Sequence, residues 1–141
     1  MDTLTPKQRS ERMSRIRAKD TKPEMLVRHL VHRMGYRFRL HSRKLPGCPD
    51  LVFQSRGKVV FVHGCFWHRH PRCGNDRPPK SRRDFWLPKL RANRERDKMC
   101  QHALRRLGWG VLVVWECETR NRVKLAKRIR KFMEGEEREG R

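Results

Sequence analysis

In the stretch "VFVHGCFWHRHPRC" (60–73), Cys65, His70 and Cys73 fall within nine residues, and Cys117 follows a second apolar run, "WGVLVVW" (109–115). Three thiolates and an imidazole make a tetrahedral zinc set, and closure by four protein ligands makes such a site structural rather than catalytic. Single cysteines are often small buried hydrophobes. That reading is weaker for Cys65 and Cys117, because a long polar loop needs fastening and carries ligands at both Cys65 and Cys73. His68 is left over, and it could be a spare ligand, a phosphate contact or a general base. Asp50 begins an apolar strand after Pro49, a place where a carboxylate faces water or a metal, although Pro-Asp also occurs in many turns. Asp50, Glu24 and His63 together offer the oxygen and nitrogen ligands that suit Mg²⁺, which keeps several waters and leans on few carboxylates. Glu24 has a purely structural alternative as the third residue of a helix capping box. Phe66 and Trp67 stand between a zinc ligand and a candidate base, a position that favours stacking on or wedging between bases. Trp86, at a helix start, serves equally well as core or as a stacking group.

The elements that must hold these residues are legible from period and punctuation. Thr5-Pro6-Lys7-Gln8 opens a short basic helix over about Pro6 to Arg17, whose only apolar residues are Met13 and Ile16. So thin a stripe leaves two alternatives, a disordered terminus or an arm ordered by nucleic acid. Thr21-Lys22-Pro23-Glu24 caps a second helix, with Met25, Leu26, Leu30, Val31 and Met34 at helical spacing and Gly35 as its stop. Alternation from Tyr36 to Leu40 reads as a strand, and "PDLVF" (49–53) and "KVVFVH" (58–63) as a hairpin turned at Gly57. Arg69 to Arg83 is a long Pro-, Gly- and Arg-rich loop. A helix follows from about Asp84 to Leu107, interrupted near Pro88, then the strand 109–115 and an amphipathic helix carrying Val123, Leu125, Ala126, Ile129 and Phe132. The sum is an α/β sandwich, helices around a mixed central sheet.

The chain of 141 residues fits one domain with a single core, and its 37 Lys plus Arg against 15 Asp plus Glu give a formal charge of +22. Such an excess points to a polyanion, with nucleic acid the first candidate. No apolar run approaches the roughly 20 residues that span a bilayer, and residues 1–10 lack the apolar core of a signal peptide. A cytoplasmic protein with reduced thiols is expected, with no membrane partner. Cys48 and Cys100 are expected to be dispensable for metal.

Taken together, "LPGCPDLVF", "VFVHGCFWHRHPRC", "FWLPKL", "ERD" and "GWGVLVVWEC" resemble the very-short-patch (Vsr) mismatch repair endonucleases, over about Arg9 to Phe132. The resemblance implies a restriction-endonuclease-like fold, a structural zinc, and Mg²⁺-dependent nicking of duplex DNA beside the T of a T·G mismatch. By motif, it implies that Asp50 binds Mg²⁺ with the backbone carbonyl of Val62, where the family usually has Thr. It makes His68 the general base and gives Glu24 and His63 the task of holding waters around that metal. Cys65, His70, Cys73 and Cys117 would bind zinc, with one residue more between His70 and Cys73 than is common. Phe66, Trp67 and Trp86 would wedge into the duplex from the major groove, with the N-terminal helix in the minor groove. On this reading residues 1–18 are a basic arm, 19–134 a single nuclease domain acting as a monomer, and 135–141 a charged tail. Two readings compete: a zinc-fastened DNA-binding module without catalysis, and an endonuclease of the same fold with another DNA specificity.

Overall fold

The computed structural model describes residues 20–65, 68, 70 and 83–135. The expected N-terminal helix, Phe66, Trp67, Cys73, most of the 69–83 loop and all but the first residue of the tail lie outside that set.

Four strands form one mixed sheet in the order β1-β2-β3-β4: β1 (Arg39–Leu40), β2 (Leu51–Phe53), β3 (Lys58–His63) and β4 (Gly110–Trp115). The first two pairings are antiparallel and β3 runs parallel to β4, with Val60 opposite Leu112 and His63 opposite Trp115. Parallel neighbours need a crossover. It contains helix α2 (Arg83–Arg106), while α1 (Lys22–Arg33) precedes the sheet and α3 (Arg122–Glu134) follows it.

Strand alternation sorts the apolar residues to two faces. Leu51, Phe53, Val60, Leu112 and Val114 pack with Val27 and Val31 of α1 and with Leu125, Ile129 and Met133 of α3. Val52, Val59 and Phe61 face the other way and pack with Leu104 of α2. The sheet is therefore covered on both sides, and β3 and β4 read as nearly unbroken apolar runs for that reason. Gly57 takes the left-handed conformation (φ 65°) after a 3-10 turn, Gln54–Arg56, and so closes the β2–β3 hairpin as its sequence implied. Among the described residues no helix is long and apolar enough to cross a membrane.

Three expectations need correction. The first strand is only Arg39–Leu40, because the Tyr36 hydroxyl instead donates to Glu134 Oε2 at 2.6 Å and pins the chain to the end of α3. The second helix does not bury Met25, which is 37% exposed; its buried stripe is Glu24, Val27 and Val31. Helix α2 is not interrupted at Pro88 but runs through it. That proline lies in the second turn and forgoes one bond to the carbonyl four residues earlier, while burial of Leu90 and Leu104 holds the helix beyond it.

Candidate active site and metal centre

The candidate catalytic residues meet where β3 ends and antiparallel β2 begins, at the carboxyl ends of the parallel pair, where open α/β sheets place their sites. Asp50 directly precedes β2, and its Oδ2 accepts the Val62 backbone N–H at 2.6 Å, so the carboxylate takes the place of a strand partner. In a hydrogen-bonded position of an antiparallel strand the N–H and C=O face the same neighbour. The Val62 carbonyl therefore shares the Asp50 edge. His63 continues β3 on the α2 face, 4% exposed, and its ring stacks on His68 at 3.8 Å between centroids and 7° between planes. The His68 backbone N–H donates to Gly64 O in the turn that follows the strand. A cavity of about 500 Å³ opens there, lined by Asp50, Val62, His63, His68, Arg96 and Asp97 among others.

The electrostatics set each group apart. Burial pushes the Asp50 carboxyl up to about 6 against the favourable Val62 N–H bond, and the Glu24 carboxylate adds to the rise. Burial above all, with the His68 ring alongside, holds His63 down at about 3, so its imidazole is neutral throughout the physiological range. His63 Nδ1 is buried with no hydrogen-bond partner among the described residues. His68 is different: its Nδ1 hydrogen-bonds Asp97 Oδ2 of α2. A carboxylate at Nδ1 keeps the proton on that nitrogen and leaves the lone pair on Nε2.

Glu24 is drawn inward because it falls on the Val27–Val31 stripe of α1, three and seven residues along. Its cap is as expected in part: Glu24 N–H donates to Thr21 Oγ1 at 3.3 Å, and Glu24 Oε1 accepts from Asp20 N at 3.0 Å. Its other oxygen, Oε2, accepts from Arg28 and bonds His41 Nε2 at 2.6 Å. His41 Nε2 is in turn 4.0 Å from Asp50 Oδ1. Capping and the cavity thus share one side chain. His41 and Cys48, at either end of the loop before β2, both take left-handed φ values (45° and 49°), which are rare for residues with a Cβ.

Behind the cavity Cys65, His70 and Cys117 come together, each offering one ligand atom within 4.8 Å of the others. His70 Nδ1 stands 3.6 Å from Cys65 Sγ and 3.5 Å from Cys117 Sγ. A tetrahedral zinc with Zn–S of about 2.3 Å and Zn–N of about 2.0 Å has an N···S edge of roughly 3.5 Å. The donor set fits that ion. Cys117 arrives on the 3-10 turn Glu116–Arg120 directly after β4, and the His70 ring is held by stacking on Trp115 at 4.1 Å.

Of the residues expected from sequence, Asp50, Val62, His63 and His68 share one cavity, and Cys65, His70 and Cys117 one cluster. Glu24 joins the first group through His41. Trp86 is half-buried on the first turn of α2, edge-on to Phe85 at 4.9 Å. Sequence reasoning missed Asp97, His41 and Arg28. Asp97 carried a signal: Asn93, Asp97 and Cys100 continue the stripe of buried Leu90 and Leu104 on α2, so polar residues occupy an apolar face. His41 and Arg28 follow no pattern of spacing.

The sequence profile of the family described as "DNA mismatch endonuclease Vsr" matches residues 1–74. A type II nicking enzyme of Xanthomonas oryzae pv. oryzae is 50% identical over 133 residues, covering 94% of this chain and 97% of that protein. The DNA mismatch endonuclease Vsr of Escherichia coli is 44% identical over 117 residues, covering 83% and 74%. Among solved structures, the catalytic domain of a homing endonuclease superposes with a TM-score of 0.55 over 80% of this chain and 94% of that one, at 18% identity. That last likeness is one of fold.

Proposed function

The chain belongs to the Vsr family of DNA endonucleases, and from that premise we propose that it nicks one strand of duplex DNA beside the T of a T·G mismatch by Mg²⁺-dependent hydrolysis. The observation that carries the catalytic part is the His68–Asp97 pair beside Asp50 in one cavity. His68 Nε2, its tautomer fixed by Asp97, takes the proton from the attacking water. Asp50 and the Val62 carbonyl would hold Mg²⁺; a buried carboxylate raised towards 6 with a second carboxylate close by is a set of charges that a hard dication neutralises. When bound, Mg²⁺ supplies positive charge against the phosphate and the departing oxygen. Glu24, tied to Arg28 and His41, and neutral His63 with its unpartnered Nδ1 orient waters around that position.

Zn²⁺ would be held by Cys65, His70 and Cys117, with Cys73 as the fourth ligand, and would fasten the loop after β3 to the end of β4. Phe66 and Trp67, which lie in sequence between Cys65 and His68, and Trp86 enter the stack beside the mismatch, where unstacking costs least. The wedge and the base thus sit on one short stretch of chain. The charge of +22 holds the strained duplex.

Strand-limited cutting is supported by the relative described as a nicking enzyme, and mismatch selection by the one described as a mismatch endonuclease. The test is a set of end-labelled duplexes with T·G, T·A or C·G at one position, incubated with Mg²⁺. A single cut beside the mismatched T is expected. Equal cutting of all three duplexes assigns another specificity, and binding without any cut assigns the non-catalytic module.

A further inference from the structure

Asn93, Arg96, Asp97 and Cys100 recur three and four residues apart and so share one stripe of α2. Arg96, Asp97 and Cys100 line the cavity that contains Asp50 and His68. Asp97 is engaged by His68. Asn93 is a polar side chain only 6% exposed, and its Oδ1 accepts from Arg96 Nη2 at 2.9 Å. A buried amide bonding one arm of a guanidinium sets the plane of the whole fork, because the guanidinium is rigid and its five N–H groups lie in one plane. That bond uses one of the donors of Arg96, an exposed residue that lines the cavity. Arg43 lines the same cavity from the loop between β1 and β2, and it has no comparable anchor among the described residues.

From this we infer that Arg96, oriented by buried Asn93, binds a non-bridging oxygen of the phosphate being cut. The inference rests on the reading of the cavity as a phosphodiester nuclease. Arg96 is then a catalytic residue and Asn93 its positioning residue. The chemistry asks for such a group. An anionic phosphate must approach two carboxylates, Asp50 and Asp97, and a fixed guanidinium offsets that repulsion while matching phosphate oxygens in geometry. A donor fixed before the reaction helps most where charge grows on the phosphoryl oxygens, and removing one such donor costs about 10²–10³ in rate. A merely structural Arg96 would leave the reacting phosphate indifferent to it.

The test uses duplexes carrying one phosphorothioate of known configuration at the cleaved position. With Mn²⁺ in place of Mg²⁺, so that the metal's own reluctance to bind sulfur does not select a configuration, the wild type should cut one configuration tenfold or more slowly than the other, because sulfur is a poor acceptor for the guanidinium. Arg96→Lys should cut the ordinary duplex about 10²–10³ more slowly and lose the difference between configurations. Asn93→Ala should show the same pattern more weakly. Added guanidinium should restore part of the activity of Arg96→Ala. Lys127→Gln on α3 removes an equal charge elsewhere and should change neither the difference nor the rate of bound substrate. An Arg96→Lys rate within threefold of wild type, or an unchanged preference between configurations, overturns the assignment.

A second arm needs no cutting and compares binding to duplexes interrupted beside the mismatched T, with and without a phosphate at the break. Wild-type preference for the phosphate, lost in Arg96→Lys, supports the contact even if the wild type cuts nothing, in which case only the nuclease reading fails. Equal affinity for the two duplexes in the wild type counts against Arg96.

Discussion

Asp50 illustrates how a functional group is held at a cost to the fold. Its pKa is raised from the ordinary carboxylate value to about 6, so the folded state binds the proton more tightly than the unfolded chain. The stability this contributes is fully present below about pH 4 and is lost as pH rises through 6. At pH 8 the ionised carboxylate therefore disfavours the metal-free fold by on the order of 3 kcal/mol, at 1.36 kcal/mol per pKa unit. Asp50→Asn keeps an acceptor for the Val62 N–H and should melt higher than wild type in EDTA at pH 8, with the advantage gone at pH 4, while nicking is abolished. A lower melting point for Asp50→Asn at pH 8 contradicts this account. The comparison must be between proteins rather than along pH, because His63 acts in the opposite sense: held at about 3, it contributes stability above pH 6.5 that is lost as pH falls towards 3. The His68–Asp97 pair makes a separate claim. His68→Ala should lower the single-turnover rate by roughly 10²–10⁴, Asp97→Asn should lose much of the same factor, and the double variant should be little worse than His68→Ala, since the two act as a unit. Multiplying losses would mean that Asp97 acts elsewhere.

Among the elements, the turn after β3 carries Cys65 and His70, two of the three side chains that could together hold a metal ion. Cys117→Ser should lower bound zinc and melting temperature together, because structural zinc binding is coupled to folding, whereas Cys100→Ser should leave zinc content unchanged. Metal analysis finding no zinc in the wild-type protein would overturn this. That Cys65, His70 and Cys117 come together could be anticipated from residue type, from the close spacing of the first two and from the place of Cys117 after the second apolar run. Strands β3 and β4 were equally legible, being buried on both faces and apolar at nearly every position. The Thr21 cap of α1 and the left-handed Gly57 were also read correctly, since both are local rules. What depended on distant partners was not legible. The short β1 follows from a Tyr36–Glu134 bond across 98 residues, and Asp97 meets His68 across 29. The sequence marks Asp97 as a polar residue on the apolar stripe of α2, but not that His68 is what it meets. Glu24 was readable both as a cap and, beside Asp50 and His63, as a candidate site residue; its bond to His41 was not.

At the scale of the whole molecule, an excess of 22 positive charges predicts binding dominated by phosphate contacts. Affinity for matched duplex should fall with salt at a log–log slope of about 0.9 per neutralised phosphate. A shallow slope would place the charge away from the DNA. Discrimination is a different quantity, carried by stacking at about 1–3 kcal/mol per base. Trp67→Ala should therefore bring T·G binding down towards matched binding while leaving the salt slope unchanged; a retained wild-type preference would move the wedge to Phe66 or Trp86. The central claim, a Mg²⁺-dependent cut of one strand directed by the mismatch, is tested most directly by mapping cleavage of a duplex with a single T·G pair, each strand labelled in turn, with Mg²⁺ and with EDTA. The account predicts one break, in the T-bearing strand and beside that T, absent in EDTA and absent when the pair is T·A. Breaks in both strands, or the same break in the T·A duplex, would contradict it.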